Sequence, residues 1–181
     1  MQRNSLLTLD AMKKIILSLA FFLPIAAIGE QSITVGFSRG APSAKDVVLQ
    51  AIVEARESLY VAAYQLTSAD VVKALIAAKQ RGVKVSVVLD RTQASGDSQA
   101  ALVAAGVGCR IDKKFRIMHH KFVVVDGKHV ETGSFNFSAS ADKVNAENAL
   151  YLRGVPDIAA KYKAQWGFVN AAAVACAGGG L

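Results

Sequence analysis

Between residues 33 and 111 the chain alternates short apolar runs with helix-forming stretches, and this alternation restricts its fold more than any other feature. Ile33, Val35 and Phe37 recur at every second position, the period of a strand. Ser43 and Asp46 have the spacing of a capping box, in which a hydroxyl accepts a free helix amide and the acid reaches back. Val48, Ile52 and Ala55 then mark one helix face. Leu59–Tyr64 reads as an apolar strand, and Thr67 and Asp70 repeat the cap. Val72, Leu75, Ile76 and Ala78 line a second helix that Gly82 stops. Val83–Leu89 reads as a buried strand, 91–99 as a polar loop, the stretch up to Ala105 as a short helix and 107–111 as a strand. Phe122–Val125 is a further strand, and Asp126-Gly127 can reverse it into another through Thr132. Ala149–Arg153 follows, then a helix opened by Pro156 and Asp157 that carries Tyr162 and Trp166. From Ala171 the chain is small and Gly-rich, and its end is expected to fray. The pattern predicts one α/β domain per chain, with a mixed, largely parallel β-sheet flanked by helices.

The N-terminus has a different character. Lys13 and Lys14 precede Ile15–Gly29, where all but Ser18, Pro24 and Gly29 are apolar. A spanning helix needs about 20 apolar residues. A basic start, a short apolar stretch and small residues at its exit fit a secretory signal. Residues 1–29 are therefore read as a signal peptide, cleaved before Glu30, and 30–181 as the mature domain; Met12 can also open the signal. An uncleaved anchor is the competing reading. Export implies a secreted, periplasmic protein without stable membrane association once the signal is gone. It also places Cys109 and Cys176 where disulfides persist. Either they bond and pin the C-terminal segment, or they are two free thiols.

Loss of Arg3, Lys13, Lys14 and Asp10 with the signal takes the formal charge from +7 to +5. A basic surface favours polyanions, nucleic acid or anionic headgroups. With 52% hydrophobic residues the chain is not disordered, and two Cys cannot build a four-Cys zinc site. The three His, at 119, 120 and 129, leave none for a distant site.

The chemistry is concentrated between residues 116 and 147. His119 and Lys121 stand two apart, so an extended backbone projects both to one face. A hairpin at Asp126-Gly127 returns Gly133, Ser134 and Asn136 towards the same sheet end. A nucleophile, a cation and neutral donors then converge, the equipment for attack on a phosphate. His120 should face the other way, and His129, beyond the turn, should be exposed. Lys113, Lys114 and Arg116 just before the cluster are candidate nucleic-acid contacts. A metal site would need His119, His120, His129 and Asp126 together, which strand alternation opposes; no metal or other cofactor is expected.

His119-x-Lys121, Asp126, Gly133-Ser134-x-Asn136 at these spacings resembles the signature of the phospholipase D superfamily. The size and single motif are similar to its small secreted bacterial endonucleases, and Glu147 fits the acidic residue that follows the Asn in that branch. The resemblance implies a phospholipase D-like fold and hydrolysis of DNA, single- and double-stranded, with little sequence preference. His119 would form a phosphohistidine, with Lys121, Asn136 and Ser134 on the phosphate oxygens. Glu147 would fix the His119 tautomer, while Asp126 and Gly133 would support the site. The family mechanism uses two histidines and this chain has one motif, so a twofold homodimer is implied. A phospholipid phosphodiesterase or transphosphatidylase on the same scaffold is the alternative, though no apolar membrane-binding loop stands out. A non-catalytic basic polyanion-binding protein is another.

Overall fold

The computed structural model describes residues 30–177. The signal reading of 1–29 and the frayed end at 178–181 lie outside the described residues.

The elements run β1 (Ser32–Phe37), α1 (Ala44–Glu54), β2 (Ser58–Ala63), α2 (Ala69–Gln80), β3 (Lys84–Leu89), α3 (Gly96–Ala104), β4 (Gly108–Ile111), β5 (Lys121–Val125), β6 (His129–Gly133), α4 (Ala139–Lys143), β7 (Asn148–Arg153), α5 (Pro156–Ala171) and β8 (Val174–Ala175). The eight strands form one sheet in the order β1-β7-β6-β5-β2-β3-β4-β8. The expected mixed α/β sheet is present, but its balance is not largely parallel. Only β2–β3 and β3–β4 pair in parallel; the other five pairings are antiparallel. The hairpin is one cause. Asp126 and Gly127 have φ of 52° and 64°, and positive φ at both central residues is the geometry of a tight hairpin turn. It sends β6 back along β5, and β7 and β1 continue the antiparallel half.

Three layers result. Val47, Val48, Val71, Leu75 and Leu102 of α1–α3 pack on one face, against Leu59, Val61, Val85, Val87, Val123 and Val125. Ala159 and Val169 of α5 cover part of the other, over Ala62, Val88, Phe122, Val124 and Val130. Among the described residues, no helix lies over the β1–β7 side of that second face. There Ile33, Val35 and Phe37 are 62%, 41% and 60% exposed.

The Ser43 capping box forms: Asp46 N donates to Ser43 Oγ at 3.1 Å, and Ser43 N donates to Asp46 Oδ2 at 3.0 Å. The Thr67–Asp70 cap does not. The N-cap of α2 is Ser68, whose side chain makes no capping bond, and Asp70 pairs with Lys45 at 3.3 Å instead. The Thr67 and Ser68 amides both donate to the Phe137 carbonyl at 2.9 Å, so a tertiary contact sets where this helix begins. The loop expected over 91–99 is shorter, because α3 starts at Gly96 and takes Asp97 into its first turn. The C-terminal stretch is not loose as far as residue 177. Cys109 and Cys176 are joined by a disulfide, and β8 pairs with β4 beside it.

Glu131 on β6 is 1% exposed, its Oε2 is unpaired, and burial pushes its carboxyl well above the usual carboxylate range.

Candidate active site

The strand register brings the motif together at one end of the sheet. Ala63 pairs with Lys121, Gly133 with Ala149 and Phe37 with Asn148. The C-terminal ends of β1, β2, β3, β4 and β6 therefore meet the N-terminal ends of β5 and β7 along one edge. His119, Lys121, Gly133, Ser134, Asn136 and Glu147 line a recess of about 450 Å3 there.

His119 lies just before β5 and is exposed. The Lys121 Nζ is 2.9 Å from its Nδ1 and 3.2 Å from its Nε2, and donates to its carbonyl at 2.9 Å. An ammonium has no lone pair, so the ring nitrogen that it holds is an acceptor. The ring is braced from the β2 side by Tyr64, with centroids 4.4 Å apart. Tyr64 had no local signal in the sequence; it lies 55 residues from His119, and only the β2–β5 pairing brings it in. Lys121 is 9% exposed. Its burial lowers its pKa, and the charge of Glu147 opposes that shift.

Gly133 is required by packing. A Cβ there would strike the Asn148 carbonyl and lie 2.9 Å from the Ala149 Cα, so β6 and β7 could not approach. Ser134 follows. Its Oγ donates to Glu147 Oε2 at 2.6 Å and accepts from Asn148 N at 3.0 Å. Asn136 sits between two buried anchors, Phe135 and Phe137, at 1% and 0% exposure. Its Oδ1 is buried without a hydrogen-bond partner.

Glu147 differs from expectation. Its carboxylate accepts from Ser134 and, at 2.9 Å, from Asn145 Nδ2, and neither ring nitrogen of His119 is among its hydrogen-bond partners. Its backbone is held by Ser38: Glu147 N donates to Ser38 Oγ at 3.1 Å, and Ser38 N donates to the Glu147 carbonyl at 2.9 Å. The β1–β7 pairing, invisible in the sequence, delivers Ser38.

Asp126 lies at the far end of β5, where it accepts from the amides of Arg56, Glu57 and Ser58 at 2.9, 2.8 and 2.8 Å. Burial alone would raise its pKa, but those three amides outweigh burial and hold it below the ordinary value. His129 shares that end. It is half-buried rather than exposed, because its Nδ1 accepts from Gly154 N at 2.9 Å and its ring packs near Tyr151. His119 and the Asp126–His129 pair thus stand at opposite strand ends and cannot share one ion. His120 turns towards α5, where its Nε2 is 3.1 Å from the Gln165 amide nitrogen; burial, then the charges of Lys121 and His119, lower its pKa. Lys113, Lys114 and Arg116 are exposed on the loop that leads into His119.

Residues 48–166 match the family model described as "Cardiolipin synthase, PLD-like domain". The chain is 37% identical to a phospholipase D of Rickettsia conorii, over 78% of this chain and 71% of that one. It is also 37% identical to the mitochondrial cardiolipin hydrolase of Xenopus tropicalis, over 60% of this chain and 52% of that one. Among solved structures it is similar to Nuc from Salmonella typhimurium, a phospholipase D family member, with a TM-score of 0.78 and 37% identity over 81% of this chain and 98% of that one. No helix of the described residues is long and apolar enough to cross a membrane.

Proposed function

The chain belongs to the phospholipase D superfamily and is a phosphodiesterase, and from that premise we propose that it is an exported, metal-independent, non-specific endonuclease acting on DNA. The observation that carries the nucleic-acid reading is the exposed run Lys113, Lys114 and Arg116 on the loop that ends at His119. It places cations where a polymer of phosphates would continue past the reacting one.

In the first step a ring nitrogen of His119 attacks phosphorus, and the bond to the leaving oxygen breaks as that oxygen takes a proton. Water then attacks the phosphohistidine, the phosphorus–nitrogen bond breaks, and a proton returns to the group that gave one. Lys121 and Asn136 stabilise the non-bridging oxygens, with Ser134 assisting, and Glu147 orients Ser134. In the scheme that the family resemblance implies, the proton donor is a second histidine. His120 and His129 point elsewhere, so we assign it to His119 of a second copy. The row Ile33, Val35 and Phe37, exposed among the described residues, supports that assembly. Phe37 and Ser38 line a recess of about 320 Å3 together with Ser134 and Glu147, so this apolar strand leads directly into the site. Two in-line displacements imply net retention at phosphorus. A paired histidine site implies a bell-shaped rate profile.

The names of the relatives favour a second reading, hydrolysis of a phospholipid headgroup ester. Incubating the mature protein with plasmid DNA and, separately, with phosphatidyl lipid vesicles decides between them. Nicking and linearisation of the plasmid, abolished by His119→Ala, is the expected result. Lipid turnover with an intact plasmid would overturn the nuclease reading. A chiral phosphorothioate diester cut in labelled water tests the mechanism, since net inversion would reassign His119 as a general base.

A further inference from the structure

The loop between β4 and β5 is built more firmly than its exposure suggests. Asp112 is fully buried and accepts from the Lys114 and Phe115 amides at 3.1 and 3.0 Å. Asp90, equally buried, accepts from the Met118 amide at 2.6 Å and from the Thr92 amide at 2.7 Å. Met118 is 1% exposed and plugs the loop into the core. Two carboxylates at the ends of β3 and β4 thus staple both ends of the segment 113–117. A segment so held keeps Ile117 at the surface.

Phe115 is partly buried against the core below the loop, while two apolar side chains remain outside. Ile117 is 47% exposed, and Phe168, which reaches the loop from α5, is 49% exposed. Phe115 lies between loop and helix, its ring centroid 6.1 Å from that of Phe168. The Lys114 ammonium stands 3.5 Å from the Phe168 centroid. Phe115, Ile117, His119 and Gln165 line a recess of about 350 Å3, so this surface begins at the nucleophile itself. It lies on the flank away from Phe37, across the catalytic edge from the uncovered β1 row.

We propose that Phe115, Ile117 and Phe168, with Lys113, Lys114 and Arg116, form a preorganised track for the unpaired nucleotides next to the scissile phosphate, which makes single strands the preferred substrate. The proposal rests on the nuclease reading above and narrows its substrate class. In a duplex the base faces are stacked inside and only the backbone meets the protein, so flat apolar groups beside the phosphate seat find no partner. An unpaired strand offers both components at once. Its bases lie on aromatic and aliphatic surface irrespective of sequence, and its phosphates meet the cations. The staples fix the surface before binding, so little ordering entropy is lost on association.

The test compares kcat/KM for a single-stranded oligonucleotide, the same sequence as a duplex, and bis(p-nitrophenyl) phosphate, a diester small enough to occupy the phosphate seat alone. The wild-type protein should favour the single strand over the duplex. The Ile117→Ala/Phe168→Ala double variant alters only exposed side chains. It should lose about 10-fold or more on the single strand, the scale of a lost base stack. Its ratio of single-strand to small-diester efficiency should fall by the same factor, with the loss in KM. Equal loss on all three substrates would mean a structural effect and would overturn the track, as would an unchanged single-strand efficiency. Loss of binding to anionic phospholipid vesicles with oligonucleotide cleavage intact would assign the surface to lipid instead. A wild-type protein that cleaves the small diester but neither oligonucleotide would overturn the nuclease reading and the track together. Oligonucleotide cleavage that is indifferent to the double variant would overturn the track alone.

Discussion

Lys121→Met should separate catalysis from stability in opposite directions. Lys121 is 9% exposed, and its ammonium both lies 2.9 Å from His119 Nδ1 and donates to the His119 carbonyl. Removing it deletes one donor to the phosphate oxygens, a loss of about 10²–10³ in rate. It also frees the nucleophile, and a misplacement of about 1 Å commonly costs a further 10². The two losses overlap, so kcat on a small diester should fall about 10³-fold or more. Stability should move the other way. Burial holds the Lys121 pKa below its ordinary value, so the unfolded chain binds that proton more tightly than the folded one. A lysine of this kind lowers stability wherever it is charged, and the penalty fades only as pH rises through the folded pKa towards the unfolded one. Below the folded pKa the penalty is fully present. Methionine fills similar volume without it, so the midpoint of thermal unfolding should hold or rise. Steady-state kinetics and a thermal melt at pH 7 are sufficient. A variant that keeps more than about a tenth of wild-type kcat would refute the donor role, since one lost donor alone exceeds that factor. A clear fall in melting temperature would refute the assignment of Lys121 as a group kept for chemistry against the interest of the fold.

Further outcomes follow from the same contacts. Asp126→Ala strips the acceptor from three amides and should destabilise by about 1–3 kcal/mol in urea titration, since Arg56 and Glu57 are exposed enough for water to replace part of the loss. Because the Asp126 pKa is depressed in the fold, its contribution should be complete above the unfolded carboxylate value and disappear as pH falls through the folded one, a step that the alanine variant should lack. Glu131 is the reverse case: its pKa is raised, so wild-type stability should decline as pH climbs from the unfolded carboxylate value towards the folded one, and Glu131→Gln should flatten that part of the curve. Replacing Cys109 and Cys176 by Ser opens a loop with a sequence separation of 67 and should cost up to about 4 kcal/mol by the chain-entropy estimate, with a melt in reducing agent as the matching control. DNA cleavage should survive EDTA, with His119→Ala inactive and His120→Ala much less affected; complete loss restored by Mg²⁺ would rule out the phosphohistidine scheme.

The residues of the site were legible before the fold, because phosphoryl chemistry constrains residue types and spacing within one hairpin. His119 and Lys121 are two residues apart, and Asp126-Gly127 announces its own turn, so their convergence is a local property of the chain. The Ser43 cap and the alternating runs are equally local. What lies between distant segments was not legible. The antiparallel majority of the sheet depends on which strands neighbour β5, and each strand run is compatible with either direction. The start of α2 obeys the Phe137 carbonyl rather than Thr67. Glu147 is committed to Ser134 and Asn145 because Ser38 holds its backbone from β1. The apolar surface beside His119 combines Ile117 with Phe168, residues far apart in the chain. Each looks unremarkable in its own window, and only the packing of α5 against the stapled loop makes them one surface. Local backbone preference and motif spacing are properties of short segments, whereas side-chain partners across a sheet exist only once long-range pairing has been chosen, and that choice belongs to the tertiary structure.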